Sequence, residues 1–415
     1  MKTYAVGLRC DDCGSEFSLR EPLTTCPKCG GLLEVQYDKA AMKAEVKTIA
    51  GDERFNSMWR YRQFFPEIQE KNIVTLGEGR TPLIKSIHLA KKLGIENLYF
   101  KNDTMMPTGS FKDRGFSLAV SYAKEIGIQR GFTYSSGNAG SSLAAYSSRG
   151  DFNAVIVVEY VANSLKKALI QLYGGKTAIL EYENFGQIST MLELAVSKLG
   201  LYQFVNFINP IRHEAMKTYA YEIVEDLGKV PDAMFHPVGT GGGIWGTYKG
   251  YNELAYIGFT DRVPRMFGVQ PEACAHFKEA FDRGAKEAGA YGDYTKTIAQ
   301  SIASDSPLQG GRRVLKAMYE SGGGALAVSD EEIMEAMCDL AKDGIAGEPS
   351  SAAAVAAMKQ AYKAGTIQSG DTVVCVITGS AFKQPSSIQL AGGEPKMHIN
   401  ANVDELASLL QHFGI

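Results

Sequence analysis

From about residue 75 onward the chain alternates apolar, β-branched runs with amphipathic stretches. A mostly parallel sheet with helices on its faces buries both kinds of segment at once. Strands are predicted over 131–135, 153–159, 176–180, 232–238, 265–269 and 372–378. Helices are predicted between them, over 141–149, 164–173, 188–199, 211–227, 330–342 and 350–364, where apolar residues recur at helical spacing. Asp330-Glu331-Glu332 and Glu348-Pro349-Ser350 suit helix starts, because carboxylates there meet the positive end of the helix dipole. The total of 415 residues argues two or three packed units. The stretch from 270 to 310 is the least periodic and is expected at the surface, and 402–415 reads as a short terminal helix.

Lys and Arg number 43 against 46 Asp and Glu, a net charge of −3. No broad positive field exists to hold nucleic acid or an anionic membrane. No apolar run approaches the roughly 18–20 residues that span a bilayer, and the segment from Met1 to Cys10 does not read as a signal peptide, so a cytoplasmic protein is expected. Seven cysteines are too sparse for a disulfide scaffold. Four of them stand as Cys10-x-x-Cys13 and Cys26-x-x-Cys29, with Gly14 and Gly30-Gly31 beside the turns. Paired knuckles aim four thiolates at one tetrahedral point, which predicts a zinc ribbon with a structural role, or a fold descended from one. Cys274, Cys338 and Cys375 read as core thiols.

Chemistry concentrates in four places. Pro107-Thr108-Gly109-Ser110 turns the chain into a helix starting near Phe111. Lys112 then stands in a first helical turn, where the dipole lowers a lysine pKa toward nucleophilic use; a solvated helix-start lysine is the plainer alternative. Ser135-Ser136-Gly137-Asn138-Ala139 follows a strand and opens a helix, an arrangement whose free N–H groups and hydroxyls suit a carboxylate or phosphate. Gly239-Thr240-Gly241-Gly242-Gly243 repeats the strand, loop, helix order. It lacks the Lys of a Walker loop and the spacing of the dinucleotide fingerprint, which disfavours nucleotides. Thr378 ends an apolar strand before Gly379, at the edge where open α/β sheets bind ligands.

Order and spacing of these motifs resemble the fold type II pyridoxal-phosphate enzymes, and within them the threonine synthase branch. The resemblance covers nearly the whole chain. It includes Gly77-Glu78-Gly79-Arg80-Thr81-Pro82-Leu83, the Lys112 motif, the Asn138 loop, Asn209 to Thr218, the glycine loop, Ser301-Ile302, Gly347 to Ala352 and Thr378-Gly379. The cysteine-bearing start is similar to that of archaeal-type threonine synthases and the related cysteate synthases. The resemblance implies an α/β chain with two open twisted α/β domains, pyridoxal 5'-phosphate in the cleft between them, and a small zinc-ribbon-like segment at 1–40. The large domain would take 41–118 and 206–400, the small one 119–205, and a terminal helix 401–415. It further implies that Lys112 carries the cofactor and moves protons, that Asn138 meets its phenolic oxygen, and that Gly239, Thr240, Gly241, Gly242 and Gly243 hold its phosphate. Thr378 would meet the pyridine nitrogen. Ser135, Ser136 and Ala139 would take the substrate carboxylate, Thr81 the substrate phosphate, and Cys10, Cys13, Cys26 and Cys29 a zinc ion. A homodimer is also implied. Departures are Thr240 and Gly243 where many threonine synthases carry Asn, Ala381-Phe382 in place of Gly-Leu, and Val161 to Lys167 in place of a Gly-Lys pattern.

The leading functional expectation is a lyase that removes phosphate from O-phospho-L-homoserine and hydrates the product to L-threonine. The runner-up is β-replacement on O-phospho-L-serine or a similar amino acid, as in a cysteate synthase. A third is a non-catalytic relative, against which an intact Lys112, Asn138 and Thr378 weigh. Arg80, Arg114, Arg212, Lys217 and Lys383 are further candidate phosphate contacts, while His213 and His236 are expected to pack or cap.

Overall fold

A computed structural model describes residues 2–135, 137–159, 164–182, 185–205, 207–290, 296–304, 306–395 and 397–415. Strands β1 (Ala5–Cys10), β2 (Glu16–Phe17) and β3 (Leu33–Tyr37) form a small antiparallel sheet in the order β2-β1-β3. The chain then lays down β4 (Leu83–Lys85) and β5 (Asn97–Asn102), and after them β6 (Arg130–Tyr134), β7 (Asn153–Glu159), β8 (Lys176–Leu180) and β9 (Tyr202–Gln203). It finishes with β10 (Ala233–Pro237), β11 (Arg265–Pro271), β12 (Gly324–Val328) and β13 (Thr372–Ile377). The order β8-β7-β6-β9 makes one wholly parallel sheet. The order β12-β11-β10-β13-β5-β4 makes another, parallel except for β4 at its edge. Every residue of β13 is buried, as an apolar strand in the middle of a two-layered sheet must be.

The predicted alternation therefore stands, with most ends shifted by a residue or two and two helices, Asn138–Arg149 and Phe185–Ser197, starting three residues earlier than predicted. The stretch 211–227 is two helices, Pro210–Met216 and Thr218–Leu227, and Asp330–Lys342 begins at a capping box between Ser329 and Glu332. Two expectations need correction. Part of 270–310 is core: His276–Asp282 is a helix with His276, Phe277 and Ala280 buried, and a Cβ on Gly311 would lie 2.0 Å from the Phe277 ring. A seven-residue helix is too short to show its period in an Ala- and Gly-rich stretch. Cys338 is exposed, on a helix whose buried face is carried by Ile333, Met337 and Leu340.

Beneath the helix Lys112–Glu125 lies a buried ion network. Arg114 Nε donates to Asp103 Oδ2 at 3.0 Å and Nη2 to Glu222 Oε2 at 2.9 Å, while Lys101 Nζ lies 2.8 Å from Glu222 Oε2. Tyr219 donates to Asp103 at 2.6 Å. Burial pushes the Glu222 carboxyl up, but Arg114 and Lys101 more than offset it and bring the pKa down to about 2. Its contribution is then fully present above the unfolded value of about 4.4 and is lost as pH falls through about 2. Glu222→Ala leaves two buried cations short of an anion, so we expect a loss of about 3–5 kcal/mol in urea unfolding at pH 7. The gap between variant and wild type should close as the pH is lowered toward 2. A loss below about 1 kcal/mol at pH 7 contradicts this role.

Candidate active site

Four chain segments meet at the carboxyl ends of β6, β10 and β13. Lys112 begins its helix just after Ser110 and Phe111, and that turn is tied to the end of β13 because Phe111 N donates to Thr378 O at 2.8 Å. Ser380 N donates to Gly109 O at 2.9 Å, and Ser110 bridges Gly379. Gly109 has φ 76°, a left-handed conformation that glycine adopts without strain. The lysine turn and Thr378 are thus one hydrogen-bonded unit.

The Lys112 ammonium faces apolar rings, 3.9 Å from the Phe111 ring centroid and 5.5 Å from that of Phe207. Desolvation, with the Arg212 guanidinium adding to it and Glu348 opposing, lowers its pKa from 10.5 to about 7. The main cause is therefore burial and not the helix dipole that the sequence suggests. Arg212 is itself wholly buried, between the Phe116 ring at 4.2 Å and the Phe207 ring at 4.8 Å.

Asn138 opens the helix Asn138–Arg149 from the other parallel sheet. Its Nδ2 donates to Glu348 Oε1 at 2.9 Å and lies 3.4 Å from Ser301 Oγ, while its Oδ1 has no partner among the described residues. Glu348 Oε2 and Ser110 Oγ are likewise buried with no partner among those residues. All three residues surround Gly379: Ser110 pairs with it, and a Cβ there would stand 2.9 Å from Glu348 Oε1 and 3.4 Å from Asn138 Nδ2. Thr378 Oγ1 lies 3.0 Å from Ser351 Oγ, which accepts from Gly379 N at 2.8 Å. Lys383 Nζ, buried, donates to Thr108 O at 2.8 Å and Ser141 Oγ at 2.9 Å. Burial brings its pKa to about 8, against the pull of Asp113 and Glu348.

At the end of β10, Gly241 has φ 86° and leads into the helix Gly242–Ile257. Among the described residues, the N–H groups of Gly239 to Gly243 have no protein acceptor. They form an open cradle of donors at a helix N-terminus, suited to a phosphate. Gly243 faces Phe111, which would lie 3.5 Å from a Cβ at that position, so the cradle opens beside Lys112. Residues of the chain thus fit pyridoxal phosphate: an uncharged amine, a donor cradle, a neutral hydroxyl at Thr378, and buried polar atoms still lacking partners.

Thr81, expected at the substrate phosphate, is 5% exposed, and its hydroxyl donates to Asp103 at 2.6 Å within the Arg114 network. The Gly-Glu-Gly-Arg-Thr turn suggests a ligand loop, but its carboxylate and hydroxyl are turned inward: Glu78 is buried against Trp59, Ser117 and Tyr146. Arg114 and Lys217 are likewise held in buried ion pairs, and Arg80 is exposed and donates to Asn56. Ser135 and Ala139 flank Asn138, whereas Ser136 and 160–163 lie outside the described residues. Glu348 and Lys166 are missed from sequence. The first stands inside a quoted motif, but its partner Asn138 is 210 residues away.

The amino-terminal thiols also meet. Cys10 Sγ and Cys29 Sγ are 3.4 Å apart, Cys13 Sγ and Cys26 Sγ 3.6 Å, and all four lie within 4.8 Å of one another. Tetrahedral zinc with bonds of about 2.3 Å sets sulfurs about 3.8 Å apart, so the donor set fits zinc.

The sequence pattern of the pyridoxal-phosphate dependent enzymes matches residues 74–379. The chain belongs to that family. It is 38% identical over 398 residues to threonine synthase of Methanocaldococcus jannaschii, covering 95% of this chain and 97% of that one. Threonine synthase of Methanosarcina acetivorans is 37% identical over 401 residues, covering 96% and 97%. Among solved structures, threonine deaminase isoform 2 from Solanum lycopersicum superposes with a TM-score of 0.64 at 23% identity, over 75% of this chain and 83% of that one. Fold type II is therefore the fold of this family member, and its cofactor is pyridoxal phosphate.

A lysine reacts with aldehydes only as the free amine. Labelling of apo-protein Lys112 by an aldehyde and borohydride, followed by mass spectrometry, should rise with pH to half its maximum near pH 7, well below the 10.5 of an ordinary lysine. Removing the neighbouring charge in Arg212→Met should move the midpoint upward. A wild-type midpoint at 10 or above would refute the buried-amine reading.

Proposed function

We propose that the chain acts as a threonine synthase, releasing phosphate from O-phospho-L-homoserine and adding water to give L-threonine. End-to-end similarity to threonine synthases carries this reading, and the convergence of Lys112, Asn138, Thr378 and the glycine loop supports it. Bound pyridoxal phosphate supplies the electron sink that stabilises negative charge at the substrate Cα.

The chain's own residues do the rest. Lys112, its pKa brought to about 7 so that much of it is free amine near neutral pH, takes protons from Cα and Cβ and returns protons as the carbon skeleton rearranges. A Cβ–H bond breaks after the Cα–H bond, the Cγ–O bond breaks and phosphate leaves with the bonding pair, a proton is delivered to Cγ, water gives its hydroxyl to Cβ, and the remaining protons go to Cα and to the released phosphate. The N–H groups of Gly239 to Gly243 would hold the cofactor phosphate, and Asn138 would orient its phenolic oxygen. Thr378 would meet the pyridine nitrogen with a neutral hydroxyl, which would not enforce the charge that a carboxylate does and so would favour elimination. Ser135 and the N–H of Ala139 would receive the substrate carboxylate at the start of a twelve-residue helix. Lys166, buried with Nζ 3.5 Å from the Ser301 hydroxyl that Asn138 also reaches, and Lys383, which donates to Ser141 in the first turn of the Asn138 helix, give the site positive potential for the departing phosphate.

Cofactor-loaded protein given O-phospho-L-homoserine should release phosphate and threonine in equal amounts, by phosphate assay and amino-acid analysis. Lys112→Ala should abolish turnover, while Lys166→Ala should raise KM by about 10-fold or more with a smaller change in kcat. A protein that shows the cofactor's visible band but releases no phosphate, and consumes O-phospho-L-serine with sulfite, would replace this reading with β-replacement.

A further inference from the structure

The amino-terminal ribbon sits against the back wall of the glycine loop, and two separate lines of contact join them. Asp11 and Asp12 fill the turn between Cys10 and Cys13. Arg313 Nε donates to Asp11 Oδ2 at 2.8 Å, and Arg312 Nη1 lies 2.5 Å from Asp12 Oδ1. The second knuckle is held as well, because Gln309 Nε2 donates to Gly30 O at 2.8 Å. Arg313 is 8% exposed and also donates to Leu33 O at 2.9 Å, with Glu34 Oε2 at 3.0 Å.

Arg312 and Arg313 begin the helix Arg312–Glu320, so fixing them fixes Val314, whose Cγ2 would stand 1.9 Å from a Cβ on Gly241. That is the first line. In the second, Arg313 Nη1 lies 3.0 Å from His213 Nδ1, and the His213 ring stacks on Phe207 with centroids 5.2 Å apart and planes 10° from parallel. The Phe207 ring in turn would stand 1.9 Å from a Cβ on Gly242. Both glycines that shape the start of the phosphate cradle are therefore backed by side chains whose positions trace to Arg313. Between ribbon and loop remains a cavity of about 380 Å³, lined by Asp11, Glu34, Thr240, Trp245, Arg313 and Lys316 among others.

We propose that the ribbon is a clamp on the cofactor loop: metal at the four cysteines fixes the Asp11-Asp12 turn, Arg313 acts as the positioning residue that passes this to Gly241 and Gly242, and metal and pyridoxal phosphate each strengthen the binding of the other. The proposal rests on the cofactor phosphate lying in the glycine loop. Free, the Cys10–Cys13 turn must be ordered when the cofactor binds; with the metal bound that ordering is already in place. Thermodynamic linkage requires the two effects to be equal in size.

The test measures pyridoxal phosphate binding to the full chain, by its visible band, in zinc-loaded and chelator-stripped protein. Zinc binding is measured in turn with and without the cofactor. Stripping zinc should raise the cofactor Kd by about 5–150-fold, and the cofactor should tighten zinc by the same factor. In Arg313→Met the cofactor Kd should weaken and become independent of zinc. A variant that merely loosens the fold would weaken binding equally with and without zinc and keep the ratio. Should stripped protein unfold, Asp11→Asn with Asp12→Asn, measured with zinc retained, should show the weakened cofactor binding. A wild-type ratio within twofold, an unchanged ratio in Arg313→Met, or no zinc bound at all overturns the clamp while leaving the cofactor reading intact. Absence of any visible band in zinc-loaded protein overturns the cofactor reading, and the clamp with it.

Discussion

A lysine that works as an amine at neutral pH has to be kept from water without being given a carboxylate of its own. Lys112 meets that constraint where Arg114, Lys101, Lys217 and Lys249 do not. Arg114, Lys101 and Lys217 are as buried, yet each lies within 3.2 Å of a buried carboxylate, and Lys249 is paired with Glu214 at 2.6 Å. Glu348 is the one carboxylate acting on Lys112, and its hydrogen bond goes to Asn138. Around Lys112 the chain supplies rings of Phe111 and Phe207 and a second cation, Arg212. Desolvation beside a like charge favours the neutral form. The ion pairs nearby hold the scaffold rigid while the reactive group is left without one.

How much of this is legible in the sequence follows from the range of the interactions. Strands and helices are local, so alternation of apolar runs places six strands to within two residues at either end, the largest difference being β11, which runs on to Pro271. The short edge strand β4 and β12 with its two glycine neighbours carry too few β-branched residues to stand out. Motif loops are legible as loops because glycine and small residues mark them. What each side chain faces is not. Thr81 and Glu78 sit in a turn that looks like a ligand loop, yet both are turned into the core by partners more than 20 residues away. The Glu348–Asn138 contact joins segments 210 residues apart, and no spacing rule reaches that far.

The two parallel sheets have different tasks in the site. β10, β13 and β5 belong to one sheet, and between them they place the glycine loop, Thr378 and, through the turn from Asn102 to Phe111, Lys112. The other sheet contributes the start of the Asn138 helix and the loop before it. Polar contacts between these two sets include Asn138 with Glu348 and Ser301, Lys383 with Ser141, and Ser142 with Asp113. Beneath them Leu143, Ala144 and Tyr146 of the Asn138 helix share one apolar core with Phe116 and Ala119 of the Lys112 helix, so the polar groups of the site stand on a packed base.

The glycine loop shows why a motif residue has to be weighed against packing before it is given to a ligand. Gly241 and Gly242 are buried, and a Cβ on either would come within 1.9 Å of Val314 or of the Phe207 ring. Gly241 also has φ 86°, where other residues are strained. These two are required by the fold whether or not a phosphate is present. Gly239 and Gly243 are only half-buried, and a Cβ on either would meet nothing nearer than 3.5 Å. Thr240 between them is half-buried as well. Room for a side chain at 239 and 243 means that packing does not demand glycine there, so these two positions can vary without disturbing the core that holds Gly241 and Gly242 in place.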